Sequence, residues 1–273
     1  MTNYKTQQQF GSYLAGLFEG DGNIHMYRKI YPHFSIGFHS NNLPFIKALR
    51  ARIGYGQIVK RKNKPFHVLN ISTHEGVAHI IELINGKLKT PKIRQLDLAI
   101  DALNQRYGYN IVSLPLCRKP LDATGWFAGF VDAEGCFYVK NVARKGRQTR
   151  NIACRFILVQ KIYDNNHCSS QHYLNSMAEF LNVKLNTVKS LKNPQTYFVI
   201  EASSLRSRNV MRTYFKRFSL LSSKRLDYEL WSRACDVLAA KSLQIDLNEQ
   251  INLLKQSMNS KRKNFHWDHL NAF

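Results

Sequence analysis

Two acidic residues, Asp21 and Glu134, each stand next to last in two similar stretches of the sequence, at positions 13–22 and 126–135. The stretches read Tyr-Leu-Ala-Gly-Leu-Phe-Glu-Gly-Asp-Gly and Trp-Phe-Ala-Gly-Phe-Val-Asp-Ala-Glu-Gly, so the two acids lie 113 positions apart. Hard divalent cations such as Mg²⁺ prefer oxygen ligands and are commonly held by one or two carboxylates. The sequence therefore predicts a metal site if the two stretches meet in the fold. The predicted metal-site residues are Asp21, Glu134, Gly20 and Ala133.

Each stretch has the pattern of a helix with small residues along one face. Gly16 and Gly20 lie on one helical face, as do Gly129 and Ala133, because residues four apart are neighbours on a helix. Small residues at that spacing allow two helix backbones to approach closely. The glycine after each acid suits the left-handed residue that ends many helices. We therefore expect the two helices to pack together, with their final acids side by side.

An acid pair at two adjacent helix ends requires a compensating positive charge or a proton. The helix dipole disfavours negative charge at a C-terminus, and a neighbouring like charge raises the cost further. Either a cation lies nearby or one acid is protonated. Glu19 and Asp132 precede the two acids by two residues, and we interpret them as polar contacts between the helices.

The composition favours an intracellular protein that binds a polyanion. The 273 residues include 40 Lys and Arg but 18 Asp and Glu, a formal charge of +22, and 44% are hydrophobic, enough for a sizeable core. No apolar run approaches the roughly 20 residues that span a bilayer, and the polar N-terminus lacks the apolar core of a signal peptide. Five cysteines without paired spacing indicate a reducing compartment and argue against a zinc site or a disulfide framework.

Hydrophobic periodicity predicts the same order of elements in both halves of the chain: helix, two strands, helix, two strands, helices. The expected fold is α+β, with two pseudo-symmetric αββαββα repeats packed through the paired motif helices, each repeat containing an antiparallel sheet. The predicted organisation is a first repeat over 1–104, a linker over 105–120, a second repeat with a C-terminal helix over 121–258, and a basic tail over 259–273 that we expect to be loose.

Several local signals set the expected boundaries of these elements. Thr6 and Gln9 fit a capping box that opens the first motif helix. Asp122 is the expected N-cap of the second motif helix, and Pro32 is the expected turn of the first hairpin. A helix is predicted over 210–218.

The two stretches resemble the paired motifs of the LAGLIDADG homing endonucleases in their single-chain, two-repeat form. The resemblance rests on two motifs that both keep the final acid, and it implies a fold for nearly the whole chain. It further implies that Asp21 and Glu134 bind the divalent metal that cleaves DNA, Mg²⁺ with Mn²⁺ able to substitute. The implied partner is double-stranded DNA, bound by a monomer over about two helical turns, roughly 20 base pairs.

The resemblance also suggests further catalytic residues by position. A polar residue at the end of the second strand of each half orients solvent near the metal in this family. Gln160 occupies that place in the second half, and His39 in the first half departs from the usual residue type. A basic residue of each half lies near the scissile phosphate, and Lys92 and Lys224 match. The segments around these lysines align only with a gap, so the alternatives are Lys89, Arg94 and Arg225.

Two sheets with one polar, basic face each would suit duplex DNA, because a two-stranded ribbon fits the major groove. Strand alternation predicts which side chains of each sheet face outward, and Arg147 and Arg150 are expected to clamp phosphates at a hairpin tip. The predicted DNA contacts of the first half are His25, Tyr27, Lys29, Tyr31, His33, Ser35, Gln57, Val59, Arg61, Lys62 and His67. Those of the second half are Tyr138, Lys140, Arg144, Arg147, Arg150, Lys184, Asn186, Val188, Ser190, Gln195 and Tyr197.

The sequence favours a site-specific, metal-dependent DNA endonuclease encoded by an intron. The alternatives are an RNA maturase that assists the folding and splicing of group I intron RNA, and a regulator built on the same fold. Because RNA binding alone does not require the acids at 21 and 134, their presence favours the nuclease. Abundant Asn, Lys, Ile and Tyr suggest an AT-rich genome, such as that of a mitochondrion or chloroplast.

Overall fold

The computed structural model describes residues 4–143, 150–164, 166–190, 195–240, 247–271 and 273. Its first half contains, in chain order, α1 (Gln7–Asp21), β1 (Gly22–Tyr27), β2 (Tyr31–His39), α2 (Leu43–Ile53), β3 (Gln57–Lys60), β4 (Phe66–Ile71), α3 (His74–Ile84) and α4 (Ile93–Tyr107). Its second half contains α5 (Trp126–Glu134), β5 (Cys136–Ala143), β6 (Arg150–Lys161), α6 (Gln171–Phe180), β7 (Leu185–Lys189), β8 (Thr196–Ala202), α7 (Leu205–Arg217), α8 (Lys224–Ala239) and α9 (Leu247–Gln256). The predicted αββαββα repeat is confirmed, with α4 following the first copy and α8 and α9 the second.

Each half forms one four-stranded antiparallel sheet, and the two sheets have the same strand order, β1-β2-β4-β3 and β5-β6-β8-β7. Phe34 in β2 pairs with Ile24 on one side and Ile71 on the other. Phe156 in β6 pairs in the same way with Phe137. All of these side chains are buried, so corresponding apolar rows line the two sheets. This shared register confirms the α+β class and the internal repeat.

α1 forms because its first turn is capped and because most of the residues that follow are apolar. The predicted capping box is present: the backbone N–H of Gln9 donates to Oγ1 of Thr6 at 3.2 Å, and the Gln9 side chain accepts from the Thr6 N–H. Every residue from Phe10 to Glu19 is buried. A helix that is buried on every side must be surrounded by other elements of the protein, so α1 lies in the core.

The chain divides into two compact units. The first comprises residues up to 134 together with 218–222 and 267–273, and the second comprises 135–217 and 223–266. Both motif helices, α1 and α5, therefore lie in the first unit.

The core of the second unit is aromatic. The ring of Phe137 lies 5.4 Å from that of Phe156 and 5.5 Å from that of Trp231. Phe215 of α7 completes the cluster, 6.0 Å from Phe137. Aromatic pairs at these separations contribute beyond the area that they bury. The cluster joins the sheet to α7 and α8.

Three expected boundaries are wrong. The first hairpin turns at Arg28 and Lys29, whose φ angles are +49° and +65°, and Pro32 lies within β2 opposite Met26. Asp122 is part of a 3₁₀ turn that ends before α5 begins at Trp126, so Gly125, and not Asp122, occupies the N-cap position of that helix.

The third error concerns the helix predicted over 210–218, which begins five residues earlier, at Leu205. α4 likewise extends to Tyr107, two residues beyond the expected start of the linker at 105, and ends at the left-handed Gly108.

The C-terminal segment, which we expected to be loose, is anchored by polar contacts. In the second unit, Nη2 of Arg262 donates to Oδ1 of Asp227 at 2.7 Å, and the side-chain amide of Asn259 donates to the carbonyl of Phe137 at 3.0 Å. In the first unit, the ring of Phe273 lies 5.7 Å from that of Phe10. A run of basic residues predicted solvation, but the charge of Arg262 is paired and its side chain is nearly buried.

All five cysteines are free thiols, as their spacing predicted. Within the described ranges, no helix is long and apolar enough to cross a membrane.

Candidate functional site

α1 and α5 touch through their glycines. A side-chain carbon added to Gly16 would overlap the carbonyl oxygen of Trp126, and one added to Gly129 would overlap the carbonyl oxygen of Tyr13. Tyr13 and Trp126 are the first residues of the two matching stretches, so the contact is reciprocal. Only glycine permits an approach this close. The predicted packing of the two stretches is confirmed.

The same approach brings Gly20, the residue before Asp21, against Ala133 and Glu134 at the C-terminal ends of the helices. A side-chain carbon on Gly20 would overlap Cβ of Ala133 and would lie 3.3 Å from Cγ of Glu134. Asp21 is exposed and Glu134 is partly exposed, so neither residue is enclosed in the core. Gly22 is extended, with φ −82°, rather than left-handed as expected, because the chain passes directly from α1 into β1.

Lys92 supplies the positive charge that this acid pair requires. Its Nζ donates to the carbonyl oxygens of Phe18 at 3.1 Å, Gly20 at 3.0 Å and Gly22 at 2.8 Å. The three N–H bonds of the ammonium are thereby directed at the end of α1, where the helix has no basic residue of its own. Burial lowers the pKa of Lys92, whereas the charges of Glu19, Glu134 and Asp21 raise it.

Glu19 is buried and accepts hydrogen bonds from two parts of the chain. The backbone N–H of Lys89 donates to both carboxylate oxygens at 3.0 and 2.9 Å, and that of Thr90 donates at 2.6 Å. The indole Nε1 of Trp126, on the other motif helix, donates at 2.5 Å. Burial raises the pKa of the Glu19 carboxyl to about 7, and these donors offset only part of the rise.

Asp132 repeats this arrangement in the second half. The hydroxyl of Tyr13 donates to its carboxylate at 2.6 Å, and the backbone N–H groups of Leu221 and Ser222 donate at 2.7 and 3.2 Å. The hydroxyl of Ser222 donates at 2.5 Å. Burial and the nearby carboxylate raise the pKa of Tyr13, so its hydroxyl keeps the proton that it donates. The interpretation of Glu19 and Asp132 as polar contacts between the helices is confirmed.

These contacts align the two lysine segments without a gap. Glu19 binds the backbone at 89 and 90, and Asp132 binds it at 221 and 222. Lys92 lies two residues after position 90, and Lys224 lies two residues after position 222, so the two lysines are equivalent in the two halves. The gap expected from the sequence is therefore wrong.

The alternative cations are engaged elsewhere or lie in solvent. Nζ of Lys89 donates to the carbonyls of Cys117 and Lys119 at 3.0 and 2.5 Å. Arg225 is paired with Glu229 at 2.9 Å. Arg94 is exposed.

Gln160 and His39 do not occupy matching places. Phe34 and Phe156 are equivalent in the two sheets, so Gln160, four residues beyond Phe156, corresponds to Phe38 rather than to His39. Nδ1 of His39 accepts from the backbone N–H of Asn41 at 3.3 Å and thereby caps a short 3₁₀ turn. Gln160 is partly exposed at the end of β6, in the second unit.

The outward face of the first sheet is close to the one predicted. Tyr27 stacks on His33, with ring centroids 5.6 Å apart, and His33 lies 5.2 Å from His25. Burial and the charge of His25 lower the pKa of His33. The predicted contacts that lie on this face or at its rim are His25, Tyr27, Tyr31, His33, Ser35, Gln57, Val59, Arg61 and Lys62.

Two predicted contacts of this half lie elsewhere. His67 pairs with the buried Phe38, which places it on the inner face, where Nδ1 lies 3.0 Å from Oγ of Ser40. The outward prediction for His67 is wrong, because β4 begins at Phe66 with the opposite phase. Lys29 lies in the hairpin loop rather than on a strand. Asn23 and Asn70 lie on the outward face and were missed.

In the second sheet, alternation again assigns the outward face correctly for most residues. The predicted contacts on that face or at its rim are Tyr138, Lys140, Lys184, Asn186, Val188, Ser190, Gln195 and Tyr197. The register of β6 places Arg155 and Lys161 on the same face, where Arg155 pairs with Glu201 at 2.9 Å.

Of the two predicted phosphate clamps, only Arg150 lies within the described residues. Nε of Arg150 donates to Oδ1 of the buried Asn141 at 2.6 Å, and the amide of Asn141 donates to Asn252 of α9 at 3.0 Å. Arg150 therefore links β6 to a polar cluster beneath α9. Arg144 and Arg147 lie outside the described residues.

Sequence comparison shows the same two-part organisation. The model of the family described as LAGLIDADG endonuclease matches residues 14–102 and 127–235. The chain is 26% identical to the intron-encoded DNA endonuclease aI3 of Saccharomyces cerevisiae, over 96% of this chain and 72% of that protein. It is 28% identical to the uncharacterized cox1 intron-2 37.2 kDa protein of Schizosaccharomyces pombe, over 83% of this chain and 65% of that protein.

Solved structures share the fold at low identity. The I-SmaMI LAGLIDADG homing endonuclease, bound to cleaved DNA, superposes with a TM-score of 0.65 over 93% of this chain and 98% of its own, at 17% identity. The LAGLIDADG meganuclease I-AabMI, bound to uncleaved DNA, gives 0.67 over 91% and 99%, at 15% identity. Two matching motif helices, two equivalent sheets and a family match over both halves lead to one conclusion: the chain belongs to the LAGLIDADG endonuclease family.

Proposed function

We propose that this protein is a site-specific DNA endonuclease that hydrolyses one phosphodiester on each strand of a long, asymmetric target and requires a divalent metal. The observation that carries the proposal is the contact between the two motif helices, which places Glu134 against Gly20, the residue before Asp21, while Lys92 binds carbonyls at the same end of α1. Relatives named as intron-encoded DNA endonucleases support the same activity. The cox1 intron in one relative's name supports an organellar intron as the source.

The residues present fit a hard divalent cation such as Mg²⁺, with Mn²⁺ as a substitute. Asp21 and Glu134, neither of which is buried, would hold it through carboxylate oxygens, which are the ligands such cations prefer. Across the described parts of the chain, no group of three or more His, Cys, Asp or Glu residues is placed to bind a metal. The remaining ligands would be phosphate oxygens, water and the backbone carbonyls of Gly20 and Ala133, which the sequence predicts at the same site. A bound divalent cation would polarise the phosphate and offset charge on the leaving oxygen.

Lys92 supports the acids through the backbone. Its ammonium binds two carbonyls in the last turn of α1 and the carbonyl of Gly22 just after it, which favours a helical C-terminus at Asp21. Its charge also offsets repulsion between the two carboxylates before any metal binds. Lys92 and Lys224 remain the proposed cations near the scissile phosphates, one from each half.

The outward faces of the two sheets are the proposed DNA surface. They carry His, Tyr, Asn, Gln, Lys and Arg side chains, which can donate and accept hydrogen bonds at base edges. The net charge of +22 supports binding to phosphates. The exposed acid pair would be unnecessary for an RNA maturase, so the nuclease is the function that we propose.

The test is selection of cleaved sequences from a randomised DNA library in the presence of Mg²⁺, followed by single-turnover cleavage of the selected target. We expect Asp21→Asn and Glu134→Gln, singly or together, to reduce cleavage of both strands by more than about a hundredfold. Both substitutions are nearly isosteric, so folding should be retained.

The same variants make a binding test without metal. When a chelator removes divalent metal, the Asp21→Asn and Glu134→Gln substitutions should preserve or tighten DNA binding, because the two carboxylates would otherwise repel nearby phosphates. Markedly weaker binding by the folded double variant would place the acids away from the DNA and contradict the proposed site. Glu82→Gln removes an exposed acid of α3 and is the matched control, expected to leave cleavage and binding unchanged.

A further inference from the structure

We propose that Glu19 and Asp132 are positioning residues, each of which holds the backbone just before one lysine against both motif helices: residues 89–90 before Lys92, and residues 221–222 before Lys224. The inference rests on the proposed function, because it concerns cations assigned to that reaction.

The hydrogen bonds to Glu19 and Asp132 cross between the two motif helices. Glu19 belongs to α1 but accepts from Trp126 of α5, and Asp132 belongs to α5 but accepts from Tyr13 of α1. The two acids are equivalent residues of the two motifs, and so are the two aromatic donors. Each acid is therefore held by the helix to which it does not belong.

Each acid also binds a backbone segment just before the lysine of its half. Glu19 accepts from the N–H groups of 89 and 90, just before Lys92. Asp132 accepts from those of 221 and 222, just before Lys224. A carboxylate is the only side-chain group that accepts several N–H bonds at once without presenting a donor. Glu19 and Asp132 meet these donors in places where the side chain is too buried to reach DNA.

The position of residues 89–90 affects the position of the Lys92 ammonium. Lys92 contacts the carbonyls of α1 within 3.1 Å, so a shift of residues 89–90 would move its ammonium relative to Asp21. Small displacements of a group that stabilises a transition state reduce the rate more than they reduce binding. A substitution at Glu19 should therefore act on cleavage through Lys92.

The experiment is a double-mutant cycle on the selected target, measured as single-turnover cleavage of each labelled strand. Glu19→Gln turns an amide N–H toward one buried donor, and we expect a loss of the order of tenfold to a hundredfold on the strand that Lys92→Ala affects more. The double variant should be no slower than Lys92→Ala alone, because the effect passes through that lysine. DNA binding in a chelator should stay within about twofold of wild type.

The other half provides the mirror test. Asp132→Asn should slow the opposite strand, the one that Lys224→Ala affects more. Trp126→Phe and Tyr13→Phe remove one donor each and retain the ring, so they remain informative if an acid variant fails to fold. In the Glu19→Gln background, Trp126→Phe should restore part of the rate, because the amide N–H then no longer faces the indole N–H.

Three results would overturn the inference. Losses from Glu19→Gln and Lys92→Ala that multiply, or equal losses on both strands, would show that Glu19 acts independently of the lysine. Weakened binding in proportion to the rate would indicate a structural role only. A wild-type protein that cleaves no sequence, or a Lys92→Ala variant with wild-type rates, would instead contradict the proposed function and remove the basis of the inference with it.

Discussion

Two acids separated by one residue have opposite surroundings in this protein. Glu19 is buried among four N–H contacts, whereas Asp21 is exposed at the end of α1. Residues two apart on a helix point about 200° away from each other, so one acid faces the helix interface and the other faces solvent. Asp132 and Glu134 divide in the same way, one buried and one partly exposed. One motif can therefore supply both a structural acid and a candidate metal ligand.

Glu19 should make folding depend on pH. Burial raises its pKa from 4.5 to about 7 in the folded protein. The folded state then binds more protons than the unfolded chain between these values, so stability should fall as the pH rises from 4.5 to about 7. The loss attributable to this carboxyl is roughly 3 kcal/mol, since each pKa unit corresponds to about 1.4 kcal/mol.

The measurement is urea unfolding of wild type and Glu19→Gln from about pH 4.5 to about pH 8. The difference between the two free energies isolates Glu19 from other titrating groups. We expect that difference to change across the window and to level off above it. Parallel curves would show that Glu19 is ionised throughout, held by its donors.

The contact between α1 and α5 depends on backbone proximity, and a single methyl group should disturb it. Gly16 faces the carbonyl of Trp126, and Gly129 faces the carbonyl of Tyr13. Because backbone atoms cannot rotate away as a side chain can, we expect Gly16→Ala or Gly129→Ala to cost about 3 kcal/mol or more, the upper end of overpacking.

Gly108→Ala is the matched control for this substitution. Nothing lies within 4 Å of the carbon that it adds, and its cost is the left-handed backbone at φ +71°, about 1–2 kcal/mol. The comparison requires the free energy of unfolding of each variant. Equal costs at Gly16 and Gly108 would mean that the two helices can separate slightly without penalty.

For the whole molecule, the charge excess should appear in the salt dependence of binding. Each phosphate neutralised contributes about −0.9 to the slope of log K against log salt, and we expect a slope steeper than about −3. Lys140 lies on the outward face of β5, whereas the exposed Lys47 lies on α2. Lys140→Ala should therefore reduce the slope by about 1, and Lys47→Ala should not. A slope shallower than about −3 would contradict this assignment.

We also expect one protein chain to protect about 20 base pairs in a footprinting experiment. A footprint confined to one helical turn would contradict the assignment of both outward faces to DNA.

Much of this architecture is encoded locally. The small residues four apart in each motif, the final acids and the strand alternation predicted the paired helices, the repeat and most outward residues, because residue spacing alone determines which face of a helix or strand a side chain occupies. The errors arose where phase or conformation is not local. His67 follows a loop that reverses the strand phase, and Arg28 and Lys29 adopt a left-handed turn that their residue types do not signal.

Tertiary structure alone decided how the lysine segments match and which groups support the acids. Tyr13 and Trp126 each donate to an acid of the other helix, more than 100 positions away, and Glu19 binds a backbone segment 70 positions away. The three carbonyls around Lys92 converge only because α1 ends where α4 begins. Hydrogen bonds between such distant residues have no periodic signature in a single sequence, since they depend on packing that many side chains determine together.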